Sequence, residues 1–433
     1  MKKVNPTQFQ IISLKGKVSP DISKSITSFE YRESILSTSV DLSVTFVDTG
    51  NRNQGSDTSS VTESDDADIQ GTEIVYFSFS DEQKNVIKFN TDNNALRIFD
   101  GKDVFSDTKK EVITFNLVTT EYLKKFYTKY YAGGHYEGKI SDIVYEMLSK
   151  KLQTKKPIFL DETLNRLNYN ACINHTVQDA ILALAPKSIP NMPSAKGKTA
   201  GYFFYETADG YQFRSIDGLL SQAPKKKYIF TNTTGTPSGG YEKILAAPKY
   251  YSSVDALKLI RRGAYNSQLV TFDRDVDACT TTSLSKEDQN KGAKKAGKEF
   301  PMFDSIFDGP SYREFCDKDI ASLPNGKTLE DQLSRSDEEN LIVTDVINQS
   351  KMRYQQLFAI KISFTIFCDL TLRAGDMVEC HFPEISSKVT QPISSKKSGL
   401  YMIVDLCHYV STNGPSYTIL NLVRDSHGRR ITP

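Results

Sequence analysis

Two dipeptides, Cys380-His381 and Cys407-His408, contain the residue types of a zinc site or of a cysteine–histidine nucleophile pair. Both lie in runs with the alternating pattern of β-strands, where neighbouring side chains point to opposite faces. Four such side chains cannot converge on one ion without a bulge, and no third residue is placed to orient a nucleophile pair. The pattern therefore predicts buried thiols beside surface imidazoles, with no metal site.

Two polar segments are the other places where a ligand could bind. The segment 51–68 carries Glu63, Asp65, Asp66 and Asp68, but it lacks the spacing and the Gly and Glu positions of an EF-hand calcium loop. The segment 285–298 is rich in lysine without the interleaved aromatic residues typical of nucleic-acid binding. We interpret both segments as solvated, flexible loops that hold no ligand.

Sequence motifs of enzymes give no support for catalysis. The chain contains no P-loop, G-x-G-x-x-G, H-E-x-x-H or G-x-S-x-G pattern. Pairs of carboxylates suitable for glycoside cleavage are always available among 53 acidic residues, so their presence does not distinguish an enzyme from a protein without activity. We predict that the protein is not an enzyme and that it has no catalytic, cofactor-binding or metal-binding residues.

Composition limits the partners and the compartment. The 433 residues include 54 Lys and Arg against 53 Asp and Glu, so no overall field draws the chain to nucleic acid or to a membrane surface. The six cysteines form no C-x-x-C pair, which favours free, buried thiols. No apolar run is long enough to cross a membrane, and the first residues lack the apolar core of a signal peptide. We expect no membrane insertion and a cytosol-like compartment.

The two ends of the chain have the pattern of β modules. In Leu357–Arg424 apolar and polar residues alternate, and Arg373-Ala374-Gly375-Asp376 has the composition of a turn, which together predict a barrel or sandwich over 345–433. Residues 1–120 contain a similar series of short strands, with a turn predicted at Asp100-Gly101. Two modules of similar size leave an internal duplication possible, but their residues are too different to establish one.

The middle of the chain mixes helices and strands. Over 121–222 the pattern predicts an α+β domain with an amphipathic helix at Ile140–Leu152 and a helix capped by Thr176. The same domain contains a hairpin whose turn is Ala208-Asp209-Gly210. Residues 223–344 are predicted to be a linker and a mixed α/β domain. The linker is the basic, Gly- and Thr-rich stretch from Lys225 to Tyr241.

Four stretches, in order along the chain, together resemble the baseplate hub proteins of contractile-tailed bacteriophages, which are related to the hub domain of type VI secretion spike proteins. Each stretch alone is a weak signal, and their shared order is more specific. They are Thr27–Ile35 with Val44–Asp48; Ile140–Leu148, Val177–Ile181 and the hairpin Tyr202–Ser215; Arg262–Gln268 running into Thr271-Phe272-Asp273; and Ala374–Val378 with Pro383, Gly399–Val404, His408 and Tyr417–Leu422.

The resemblance implies a definite architecture and function. The fold would be mainly β with α+β insertions, with tube-like β-barrel modules at 1–120 and 345–433. Three copies would form a homotrimer that joins the six-fold tail tube to the trimeric central spike, contacts other baseplate proteins and lines the channel through which DNA passes. Such a protein belongs in the virion tail baseplate, after assembly in the cytoplasm of the bacterial host. The alternatives are a tail-associated receptor- or glycan-binding β protein and a tail hydrolase.

Overall fold

A computed structural model shows a mainly β chain with short helices. It describes residues 3–49, 69–107, 110–164, 166–191, 199–231, 237, 239–252, 256–273, 277–285, 293–301, 306, 309–318, 343–384 and 392–428. The predicted loop at 51–68 lies outside these ranges, as do residues 286–292 of the lysine-rich segment.

The strands belong to one large sheet and three small ones. In chain order they are β1 Val4–Ile12, β2 Ile26–Ser34, β3 Asp41–Asp48, β4 Ile74–Asp81, β5 Val86–Phe89, β6 Leu96–Asp107, β7 Lys110–Thr119, β8 Gly134–Lys139, β9 Ile158–Leu160, β10 Arg166–Ala171, β11 Tyr202–Thr207, β12 Gly210–Ser215, β13 Lys226–Ile229, β14 Glu242–Lys243, β15 Lys249–Ser252, β16 Ser267–Asp273, β17 Ala278–Leu284, β18 Tyr312–Lys318, β19 Ile360–Phe367, β20 Met377–His381, β21 Gly399–Ser411 and β22 Tyr417–Arg424.

The helices are short. They are α1 Thr120–Lys124, α2 Ile140–Glu146, α3 Val177–Leu184, α4 Ile216–Leu220, α5 Ala256–Arg261 and α6 Val343–Leu357, with 3₁₀ turns at Ser23–Ser25, Thr128–Tyr130 and Ala185–Lys187 and a π-helical turn at Met147–Lys151. In the described ranges, none of them combines the length and the apolar character that crossing a membrane requires.

One 14-stranded sheet contains strands from both ends of the chain. Its N-terminal part runs in the order β1-β4-β6-β7-β3-β2, and β2 then pairs with β21 of the C-terminal part. From β21 one branch continues through β20 to β13 and β14, and the other through β22 to β19 and β15. Among the described strands these pairings form an open path, and no closed barrel results.

Alternating apolar residues on these strands build the core beneath the sheet. Phe29 contacts Phe77 edge to face with ring centroids 5.2 Å apart, and Phe9 and Phe46 belong to the same cluster. Cys368, Leu370 and Val410 from the C-terminal part also belong to this cluster. The two ends of the chain therefore share a core as well as a sheet, and edge-to-face aromatic pairs add to the energy of burial.

Local signals in the middle of the chain are confirmed. The side chain of Thr176 accepts a hydrogen bond from the backbone N–H of Asp179, 3.1 Å away, and so caps α3. The hairpin of β11 and β12 turns at Ala208-Asp209, and its register pairs Thr207 with Gly210. In the predicted mixed α/β domain, α5 ends at Arg261, and Gly263 after it has the left-handed φ of +72° that favours glycine.

Three local predictions are wrong. Asp100-Gly101 is not a turn, because β6 passes through it with a β-bulge between Ile98 and Asp100. The linker prediction fails at Lys226–Ile229, which pairs in parallel with β20 and places Tyr228 in the core. At the end of the lysine-rich segment, Ala296 is buried and donates its N–H to Asp425, 3.0 Å away, so this part is not a solvated loop.

Candidate assembly surface

A continuous face of polar side chains covers the outer side of the large sheet. On β2 the side chains of Ser28, Glu30 and Arg32 alternate with buried Phe29 and Tyr31. The register carries the same alternation into every neighbouring strand, because paired residues share a face. One row of paired residues crosses seven strands from β6 to β19, in the order Asp100, Asn116, Ser43, Glu30, Tyr409, Tyr417 and Phe367.

The polar face (the side of the large sheet that carries this row) combines hydroxyl and amide groups with charges of both signs. A second row joins Lys102, Thr114, Thr45, Ser28 and Ser411. Arg32 pairs with Glu30, and Ser34 of β2 bonds Asp405 of β21 across the junction of the two parts. The face is therefore hydrophilic and close to charge balance.

A buried carboxylate fixes three segments to one another behind this face. Glu33 accepts hydrogen bonds from the Tyr31 hydroxyl at 2.7 Å and from the backbone N–H groups of Ala208 at 2.8 Å and Ala374 at 2.9 Å. Arg373 lies 3.8 Å from Glu33 and 3.0 Å from Asp209. Burial raises the pKa of Glu33, and Arg373 and the two N–H groups oppose this shift. The hairpin turn and the turn before β20 are thus held against β2.

A buried lysine makes a second connection. Lys156 lies 2.8 Å from Glu121 of α1 and 2.6 Å from Glu206 of β11, and all three side chains are nearly inaccessible to solvent. Burial raises the pKa of Glu206. Burial also acts to raise the pKa of Glu121, but Lys156 together with hydrogen bonds from the backbone and Thr154 outweighs it, and the pKa of Glu121 is lowered. This cluster was not predictable from the sequence, because its members are far apart along the chain and no local pattern marks them.

The two Cys-His dipeptides do not come together. Cys380 pairs with Gly399, whereas Cys407 lies eight residues further along β21, roughly 25 Å away at the rise of a strand. In the described part of the chain, no group of three or more His, Cys, Asp or Glu side chains is placed to hold a metal ion.

The prediction of surface imidazoles is wrong. His381 is buried 2.9 Å from Glu379, and His408 is buried with Nδ1 2.7 Å from the Thr418 hydroxyl. Both faces of β20 are covered by core clusters, and His408 lies on the core side of β21 while Cys407 lies on the polar face. Cys368 and Cys380 are buried thiols as predicted, but Cys172 and Cys279 are exposed.

The buried His408 should make the stability of the fold depend on pH. Burial lowers its pKa to about 3, and the positive charge of Arg373 adds to this shift. Above about pH 6.5, the ordinary pKa of histidine in an unfolded chain, the imidazole is neutral in both states and does not change the free energy of unfolding. Below that pH only the unfolded chain gains a proton, which favours unfolding. We expect His408 to account for a loss of about 2 kcal/mol between pH 7 and pH 5.

The measurement is urea unfolding of the wild type and His408→Gln at both pH values. The wild type should lose about 2 kcal/mol more than the variant on acidification. The same substitution at exposed His135 is the control, and it should leave the pH dependence of the wild type in place. Identical pH dependence in the His408→Gln variant would contradict the expectation.

Solved structures of tail proteins share this fold, although no protein-family model and no curated protein matches the sequence. The tail protein from Neisseria meningitidis MC58 matches with a TM-score of 0.54 and 8% identity, covering 98% of this chain and 97% of that chain. The 43 kDa tail protein of prophage MuSo2 from Shewanella oneidensis matches with a TM-score of 0.52 and 9% identity, covering 96% and 98%.

A component of the E. coli type VI secretion system matches with a TM-score of 0.44 and 11% identity, covering 98% of this chain and 79% of that chain. That component is described as structurally similar to the T4 bacteriophage tail proteins gp27 and gp5. The chain has the fold of the two tail proteins above. The predicted resemblance to phage tail proteins is thereby confirmed at the level of the fold.

Proposed function

We propose that the chain is a structural baseplate hub protein, a homotrimer that joins the six-fold tail tube to a trimeric central spike. The observation that carries this proposal is the polar face, to which both ends of the chain contribute paired strands. In this proposal residues 1–120 and 345–433 form the two tube-like β-barrel modules of each subunit. Residues 121–222 and 223–344 form the smaller domains around them.

The chemistry of the polar face suits the wall of a DNA channel. DNA binds proteins chiefly through contacts between its phosphates and Lys or Arg side chains. The face carries mainly hydroxyl, amide and aromatic side chains; of its cations, Arg32 is paired with Glu30, and Lys102 shares the face with Asp100 two residues away on β6. DNA could therefore pass without being held.

The symmetry of the proposed trimer follows from two modules per chain. Three subunits present six modules of similar size, which match a six-fold ring on one side, while the true three-fold axis matches a trimeric spike on the other. Each interface between subunits should exceed about 2,000 Å², as obligate interfaces do. The proposed partners are the tail tube protein, the spike protein and other baseplate proteins, in the virion tail and during its assembly in the host cytoplasm.

The mass of the purified protein in solution tests this proposal. Light scattering coupled to size exclusion should give three times the 48.6 kDa of the chain. When the protein is mixed with the tail tube protein of the same phage, electron microscopy should show rings that cap the tube. A monomer at every concentration, together with no ring in the mixture, would exclude the hub function.

A further inference from the structure

A cationic aromatic cleft opens beside the start of β6, at the end of the polar face, because Arg97 pairs with Val118 and Val118 pairs with Asp41 on that face. The cleft has a volume of about 520 Å³, and its lining includes Arg97, Phe99, Lys124, Phe126, Tyr127 and Lys129. Phe99 is 51% exposed, Phe126 58% and Tyr127 57%. Phe99 follows buried Ile98 and is the extra, unpaired residue of the β-bulge between Ile98 and Asp100. Such a concentration of exposed aromatic rings marks a binding surface more often than a free one.

The charge of the cleft is positive and not neutralised by its own lining. The Arg97 guanidinium donates hydrogen bonds to the Thr72 carbonyl at 2.9 Å and to the Thr120 hydroxyl at 3.3 Å. Both of these partners are uncharged. Lys124 donates to the Leu152 carbonyl at 2.7 Å. No carboxylate is found among the described residues that line the cleft. The adjacent Glu121 is turned inward and paired with Lys156.

The faces of the nearby tyrosine rings are already covered by lysines. The Lys125 ammonium lies 3.5 Å from the centre of the Tyr122 ring, and Lys124 and Lys129 lie 5.1 Å and 4.8 Å from the centre of the Tyr130 ring. A nucleobase or a sugar would bind by stacking on such faces and would have to displace these cations. The cleft instead offers ammonium and guanidinium groups close to exposed aromatic rings. This combination suits carboxylates that alternate with apolar side chains.

We propose that this cleft binds an acidic peptide segment of a partner protein, with a carboxylate between Arg97 and Lys129 and an apolar side chain against Phe99 and Phe126. Charge complementarity selects the acidic residues, and the exposed rings select the apolar one. The cleft is compact enough to hold only a few residues of such a segment. This inference does not depend on the trimeric state or on the proposed channel.

The test is fluorescence anisotropy with the full-length protein and a labelled synthetic peptide in which Asp and Glu alternate with Leu. We expect saturable binding that weakens as salt is raised, since exposed charge pairs are screened. Lys129→Glu should weaken binding about tenfold, because it replaces an attractive charge with a repulsive one. Phe126→Ser should weaken it by a similar factor, through loss of the apolar contact.

A matched variant and two further probes make the test specific. Lys24→Glu reverses the charge of an exposed lysine outside the cleft and should leave the affinity unchanged. A peptide with Asn and Gln in place of the acids should not bind, and a single-stranded oligonucleotide should bind more weakly than the acidic peptide. The proposal is overturned by equal binding of the neutral peptide, by tighter binding of the oligonucleotide, or by an unchanged affinity in both cleft variants.

Discussion

Lys156→Met is expected to lower the free energy of unfolding by about 3–5 kcal/mol. The lysine lies between Glu121 at 2.8 Å and Glu206 at 2.6 Å, and its side chain is 5% exposed. Removing it leaves two carboxylates buried together without a counter-charge. The loss should shrink as the pH falls, because protonation of a buried carboxyl relieves the repulsion. Urea unfolding at pH 7 and pH 5 measures both effects.

Lys150→Met is the matched control. Its ammonium group pairs with Glu146 at 3.0 Å, but the side chain is 71% exposed, so the free energy of unfolding should change by no more than about 0.5 kcal/mol. If the two substitutions had similar effects, or if acidification made the Lys156→Met variant relatively less stable, the buried cluster would not contribute as its geometry implies.

Tyr409→Pro should remove at least about 3 kcal/mol of stability and weaken the junction between the two ends of the chain. Tyr409 pairs with Glu30 of β2 on one side and with Tyr417 of β22 on the other. Proline has no N–H and fits badly within a central strand, so one of the two ladders loses a bond. Hydrogen exchange followed by mass spectrometry should show faster exchange in both Ile26–Ser34 and Gly399–Ser411.

Tyr409→Val keeps the backbone N–H and places a β-branched side chain, which suits a strand, on the polar face. We expect it to retain the hydrogen-exchange protection of β2 and to lose less than about 1 kcal/mol of stability. Protection of β2 that survives in the proline variant would mean that the N-terminal part of the sheet is stable without β21.

Features set by neighbouring residues were predictable from the sequence. Alternation identified the strands of both end modules and their buried faces, since the period of two is a property of the backbone. The Thr176 cap and the Ala208-Asp209 turn were found because each depends on only a few consecutive residues.

Features set by distant residues were not predictable. Nothing local indicates that β2 pairs with β21, and this pairing creates the polar face. The alternation along β21 was assigned with Cys407 on the core side and His408 on the surface. In the structure His408 lies on the core side and Cys407 on the polar face. The lysine and aromatic residues of 122–131 follow one another closely, and this interleaving was the one available signal for the cleft.

The β2–β21 pairing also constrains the order of events during synthesis. Ser34 and Asp405 bond each other although 371 positions separate them in the sequence. At ribosomal speeds, roughly 20–70 s pass between the emergence of the two strands. During that interval β2 can pair with β3 but has an open edge on its other side, and unpaired edges invite association between nascent chains. Chaperone protection of this edge on the polysome would raise the yield of folded protein more than any gain in final stability.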